Sequence, residues 1–259
     1  MNAATTTARR STLEVEGTRV SVVRGGAGAP LLFLHGSDSF ADWLPFMDEL
    51  AKRFEVIVPD HPGFGRSDTP GWLDSISDLA SFYRAFIEAL DLHDVVLAGH
   101  DLGAWIACDL ALRNAGNLRC LILVDAAGLP LVADGVDTFM CSPDERRRAS
   151  YVDERRSPEL DDAARALQPK DALMTARLAW TPRFYDPQLA KWLHRLQLPT
   201  LVVWGADDAI FPAAQAEQFA NAIDGAQSVM IPDAGHVPHI EQSHAFTAAV
   251  GSFIDGVRP

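Results

Sequence analysis

The stretch Val95-Val96-Leu97-Ala98-Gly99-His100-Asp101-Leu102-Gly103 decides the fold. A short apolar run leads into Gly-x-Asp-x-Gly and then into residues with helical spacing, which predicts a buried strand turning sharply into a helix. The glycines permit a strained turn, so residue 101 projects from the end of a sheet, and the Leu102 backbone N–H lies near the positive end of the following helix. A carboxylate thus stands where a nucleophile would reach out of the sheet. The simpler reading of Asp101 is a helix N-cap that accepts orphan backbone N–H groups.

Three further pieces favour chemistry over capping. Upstream, Pro30-Leu31-Leu32-Phe33-Leu34-His35-Gly36-Ser37 reads as a strand ending in His-Gly, whose loop can offer a second N–H to an oxyanion. Downstream, Pro199-Thr200-Leu201-Val202-Val203-Trp204-Gly205-Ala206-Asp207-Asp208 delivers a carboxylate at a strand's end. After it, Val229-Met230-Ile231-Pro232-Asp233-Ala234-Gly235-His236 supplies a loop histidine. Nucleophile, acid and histidine follow in that chain order.

With these four pieces the chain resembles the α/β-hydrolase superfamily from about residue 15 to about residue 253. The resemblance implies a mostly parallel sheet with helices on both faces and an inserted helical cap. The residue pattern agrees: a leading hairpin over Thr12 to Val23, then strands at Glu55 to Pro59, Asp94 to Gly99 and Leu118 to Asp125, with a helix over Ser75 to Leu90. Between about Pro130 and Leu198 the buried-strand runs stop, and charge and prolines dominate. The expected organisation is core over 1–129, cap over 130–198 and core again over 199–259. A cap excludes water and supplies substrate contacts.

The chain has 259 residues, enough for one large domain, and 22 Lys and Arg against 35 Asp and Glu give a net charge of −13. That balance argues against a nucleic-acid partner. The runs Asp144-Glu145-Arg146-Arg147-Arg148 and Asp153-Glu154-Arg155-Arg156 read as solvated helix faces. Three cysteines, Cys108, Cys120 and Cys141, form no C-x-x-C pair and read as thiols of a reducing compartment. Residues Met1 to Arg10 lack a signal peptide's apolar core, and no apolar run approaches a membrane span, so a soluble cytoplasmic protein is expected. His236 and His239 lack the neighbours of a zinc site, no dinucleotide fingerprint is present, and neither metal nor cofactor is expected. The sequence carries no signal of oligomeric state.

An ordinary aspartate is ionised at neutral pH and needs no base to become nucleophilic. Attack on an ester carbonyl would give an anhydride, whereas attack on an sp³ carbon bearing halide or epoxide oxygen gives a stable alkyl-enzyme ester. His236 would then activate water, Asp208 would hold its ring, and the N–H groups of Ser37 and Leu102 would form the oxyanion hole. The Gly99-His100-Asp101 elbow resembles that of haloalkane dehalogenases, fluoroacetate dehalogenases and epoxide hydrolases. Leu102 and Ser37 replace the tryptophan, asparagine or arginine that those dehalogenases use, and Asp38 replaces the proline usual in epoxide hydrolases. Leaving-group help would come from the cap: Tyr151 or Tyr185 as acid to an epoxide, Trp180 or Trp192 as N–H donors to halide. His35 and His100, flanking the loop and the nucleophile, are further candidate substrate contacts.

Other segments, Trp72 to Leu79, Thr181 to Leu189 and Trp192 to Arg195, resemble the serine-based ester and C–C bond hydrolases of the same fold. The expectation is therefore a hydrolase that opens an epoxide in a small or medium apolar substrate. The alternatives are an organohalide dehalogenase, an ester or C–C hydrolase relative in which Asp101 is a base in a non-hydrolytic reaction, and a non-catalytic binding protein.

Overall fold

The computed structural model describes residues 8–40 and 42–257; residues 1–7 of the amino-terminal stretch discussed above lie outside them. Strands β1 (Arg9–Val15) and β2 (Thr18–Gly26) form the leading hairpin, and β3 (Ala29–Leu34) is the first parallel strand. Helix α1 (Pro45–Ala51) leads to β4 (Phe54–Pro59), and α2 (Ile76–Ala89) to β5 (Val95–His100). Ser75 caps α2 reciprocally with Asp78, which fixes where that helix begins. Helix α3 (Leu102–Arg113) then leads to β6 (Leu118–Val124).

Between β6 and the next strand the chain forms short helices: α4 (Pro143–Ser150), α5 (Asp162–Arg165), α6 (Gln168–Ala179) and α7 (Leu189–Trp192). The core resumes with β7 (Thr200–Gly205), α8 (Ala214–Ala222) and β8 (Gln227–Ile231), and ends with α9 (Pro238–Glu241) and α10 (Ser243–Gly256).

The sheet has 8 strands in the order β1-β2-β4-β3-β5-β6-β7-β8. β1 and β2 pair antiparallel, β2 pairs antiparallel with β4, and every pairing from β4 to β8 is parallel. Strands β5 and β7 are buried at every residue, which is why they read as unbroken apolar runs instead of alternating ones. One apolar cluster lies on the face carrying α2 and α3 and includes Met174, Leu178, Leu189 and Leu193 from the helical segment. That segment therefore shares the core's own apolar cluster. The other cluster packs α1 and α10 on the opposite face.

Candidate active site

β3 and β5 are neighbours, yet β4 lies on the far side of β3, so strand addition reverses direction between them. The crevice beyond the carboxyl ends of strands at such a reversal is where open α/β sheets bind ligands. Ser37 follows β3 there and Asp101 follows β5.

Asp101 has φ 49° and ψ −117°, a conformation that costs a non-glycine residue about 1–3 kcal/mol. Its flanking glycines make the turn possible. A Cβ on Gly99 would lie 2.3 Å from the Gly103 oxygen, and one on Gly103 would lie 2.2 Å from the Leu34 oxygen. The Asp101 side chain makes no capping bond to α3, which corrects the N-cap reading. Instead its Oδ2 accepts hydrogen bonds from the Ser37 N–H at 2.8 Å and the Ser37 hydroxyl at 2.5 Å. Oδ1 is buried with no hydrogen-bond partner. One N–H expected to serve the oxyanion is thus already engaged by the aspartate's own oxygen. The other, at Leu102, opens α3, where the first backbone donors have no intrahelical acceptor.

His236 Nδ1 donates to Asp208 Oδ2 at 2.9 Å, leaving Nε2 as the basic face of the neutral ring. Asp208 is held by the backbone: its Oδ1 accepts from Ile210 N at 2.8 Å and Phe211 N at 3.0 Å. The His236 N–H donates to the Ser150 carbonyl at 2.9 Å, and its carbonyl accepts from His100 Nε2 at 2.8 Å. His236 is therefore anchored from both the core and the helical segment.

Environment separates three neighbouring imidazoles. Burial works against a charged His236, but the Asp208 carboxylate, its hydrogen bond and the Asp101 charge outweigh it and raise the pKa above the usual value. His100 has no such partner, and burial, with His239 and His236 nearby, holds its pKa well below the ordinary range. Burial and His236 push His239 down to about 3. Only His236 is suited to take up a proton near neutral pH. Burial raises the Asp101 carboxyl above the usual range, against the opposing pull of His236 and the two Ser37 hydrogen bonds.

A cavity of about 890 Å³ opens onto this arrangement and is lined by Ser37, His100, Asp101, Tyr151 and His236. Burial pushes the Tyr151 hydroxyl up to about 12, so it keeps its proton at neutral pH. The other aromatic candidates do not line the cavity. Trp180 is 48% exposed and packs on Phe139 and Arg183, Trp192 is 51% exposed and lies against His194, and Tyr185 bridges to Gly128 through its backbone. His35 is also corrected as a substrate contact: it is wholly buried, its Nδ1 lies 2.7 Å from the Gly36 carbonyl and its Nε2 accepts from His61 N. His100 does line the cavity, while its Nε2 is committed to His236.

The charged runs do present solvated faces: the side chains of Asp144 and Arg155 are 77% and 89% exposed. Asp144, Arg146, Arg147 and Glu154 also border the cavity, and Arg146 pairs with Asp38 at 3.1 Å. The cavity wall is thus mixed in polarity.

Three buried carboxyls escaped the sequence reading. Asp125 lies beside Asp208 and His236, with donor atoms of the three within 4.8 Å of one another; it ends a buried strand, a signal that was readable. Asp171 on α6 accepts from Ser39 N, Ser39 Oγ and Gly65 N, fastening the helical segment to two core loops. Glu241 accepts from Gly235, Val152 and Asp153 N–H groups, tying the histidine loop to the segment after α4. Nothing local in the sequence marks the latter two. Among the described residues the three cysteines are free thiols, and no helix is long and apolar enough to cross a membrane.

A family model described as "Alpha/beta hydrolase family" matches residues 31–250. The 2-hydroxymuconate semialdehyde hydrolase of Pseudomonas sp. (strain CF600) is 29% identical over 262 residues, covering 92% of this chain and 91% of that protein. Among solved structures, a membrane phospholipase A described as a bacterial virulence factor matches with TM-score 0.83 at 24% identity, over 97% of this chain and 87% of that one. A meta-cleavage product hydrolase from Pseudomonas fluorescens IP01 matches with TM-score 0.81 at 23% identity, over 96% of this chain and 98% of its own. These two likenesses concern the fold.

Proposed function

The chain belongs to the alpha/beta hydrolase family, and from that footing we propose that it opens an epoxide by a two-step reaction through Asp101. The observation that carries the reading is the division of labour in the Asp101 carboxylate. Oδ2 rests on the Ser37 N–H and hydroxyl, while Oδ1 is left unpartnered. In the first step Oδ1 attacks an epoxide carbon, the ring C–O bond breaks, and the alkoxide takes a proton from Tyr151. The ester carbonyl oxygen is then already seated in its hole. In the second step His236 removes a proton from water, the hydroxide attacks Asp101 Cγ, and the oxyanion forms against Ser37 and Leu102 N–H groups. Collapse breaks the Cγ–Oδ1 bond: Oδ1 departs on the substrate carbon and takes the proton held by His236, giving the diol, while the water oxygen stays in the Asp101 carboxyl, whose proton returns to the Tyr151 oxygen.

The helical segment over 130–198 serves as the cap in this reading. An epoxide is favoured over a halide because Tyr151 lines the cavity and is held protonated, whereas Trp180 and Trp192 lie elsewhere. The substrate is small or medium in size, and the charged wall makes a partly polar one as acceptable as an apolar one. A second reading has support from similarity: the relative described above acts on 2-hydroxymuconate semialdehyde. In it Asp101 is a base beside a C–C or ester substrate and forms no covalent bond.

Intact-protein mass spectrometry of His236→Gln decides between them. Incubated with separate panels of epoxides, alkyl halides and activated esters, the variant should gain the mass of a whole epoxide at Asp101, because only the second step needs the base. A gain lacking the halide assigns dehalogenation. No adduct with any panel, from folded protein, sinks the nucleophile assignment and favours the second reading.

A further inference from the structure

Beneath the histidine lies a pair of carboxyls of which the two-step scheme uses only one. Asp125 follows β6 with φ 42°, a positive value like that of Asp101, and it is wholly buried. Its Oδ1 accepts from Gly205 N at 2.9 Å, whereas its Oδ2 is buried and faces no donor. Beside it stands Asp208, which already accepts from Ile210, Phe211 and His236. Two anions side by side in a closed site repel each other, and a carboxylate oxygen with no donor loses its hydration without replacement. A hydrogen on Asp125 removes both penalties, since the orphaned oxygen becomes a donor with an acceptor next to it. Such a hydrogen-bonded chain accounts for the closeness of Asp125, Asp208 and His236 without an ion.

We propose that Asp125 is a positioning residue that remains a neutral acid and donates its hydrogen to Asp208, so that the pair shares a single negative charge directed at His236. The groups facing Asp125 come from the two neighbouring strand ends, β5 and β7, and agree with this. Burial and the charges of Asp208 and Asp101 favour the neutral form, and only the Gly205 N–H opposes it. The donated bond fixes the Asp208 carboxyl so that Oδ2 meets Nδ1, and it spreads the charge that steadies the imidazolium.

The inference rests on His236 and Asp208 acting in the second step, but its test reads the proton and requires no turnover. Infrared spectra at pH 7 in an Asp101→Asn background, where Asp101 cannot contribute, should contain a protonated-carboxyl stretch. Adding Asp125→Asn should remove it. Absence of the band from the Asp101→Asn protein, or its survival in the double variant, overturns the proposal. In otherwise wild-type protein, Asp125→Asn should leave the His236 titration midpoint in place, because the amide also donates and is neutral. An ionised Asp125 instead requires that midpoint to fall by about one pH unit or more. If Asp125→Asn does not fold, the band in the single Asp101→Asn protein still decides: present it supports the proposal, absent it refutes it.

Discussion

His239 offers a sharp measurement of how burial governs the imidazoles of this site. Its ring is wholly buried among Phe33, Phe46 and Phe246, and neither nitrogen has a hydrogen-bond partner. Folding lowers its pKa from 6.5 to about 3, so the unfolded chain binds a proton that the folded protein refuses. The sign follows from linkage: the stability is fully present above about pH 6.5 and is lost as pH falls towards the folded value. At pH 5, about 1.5 pH units below the unfolded pKa, the loss from this residue is about 2 kcal/mol at roughly 1.36 kcal/mol per unit. His239→Leu should abolish that component. Urea unfolding at pH 8 and pH 5 checks it: wild type should lose about 2 kcal/mol more than the variant between the two values. Any packing change in His239→Leu is common to both pH values and cancels. Equal losses in the two proteins would show that His239 is hydrated or charged in the folded state, and the reasoning would fail.

The catalytic reading carries further expectations. Asp101→Asn should lose turnover altogether in steady-state assays with whichever epoxide yields the His236→Gln adduct, since the amide is a poor nucleophile. Ser37→Ala removes a hydrogen bond that favours the ionised Asp101, so the acid limb of the kcat/KM profile should move up by about one pH unit, while the alkaline limb stays. Tyr151→Phe should lower the rate of adduct formation by about 10²- to 10⁴-fold if the hydroxyl protonates the leaving alkoxide, and an unchanged rate removes it from that role. Asp171→Ala leaves two backbone N–H groups and the Ser39 hydroxyl unpaired; hydrogen exchange around residues 38–40 and 63–67 should rise, and stability should fall by about 2–4 kcal/mol in urea titration.

The strands and the elbow were legible because each depends on local pattern. The run Val95 to Ala98 is apolar without alternation because both sheet faces are covered, and the Gly99 and Gly103 pair marks a backbone contact too close for a Cβ. Asp101, Asp208 and His236 were readable for the same reason, since each stands just beyond a strand's carboxyl end. The helical segment was legible only as an interruption of that pattern. Residue type alone marks its aromatics Trp180, Tyr185 and Trp192, but where a side chain at a helix end or in a loop points depends on what it packs against. The charged run from Asp144 is solvated as its charge suggests, but charge alone does not reveal that the same helix also borders a cavity.

By itself the sequence determined the alternation of strand and helix, the strained turn and the placing of Asp101, Asp208 and His236 after successive strands, because backbone sterics and burial act over a few neighbouring residues. Tertiary structure alone decided how those groups meet. Ser37 reaches the Asp101 carboxylate across 64 positions, His236 reaches Asp208 across 28, and Gly205 reaches Asp125 across 80. Desolvation and charge proximity, which sort one basic imidazole from two inert ones and set one carboxyl against another, exist only after the chain has closed around them.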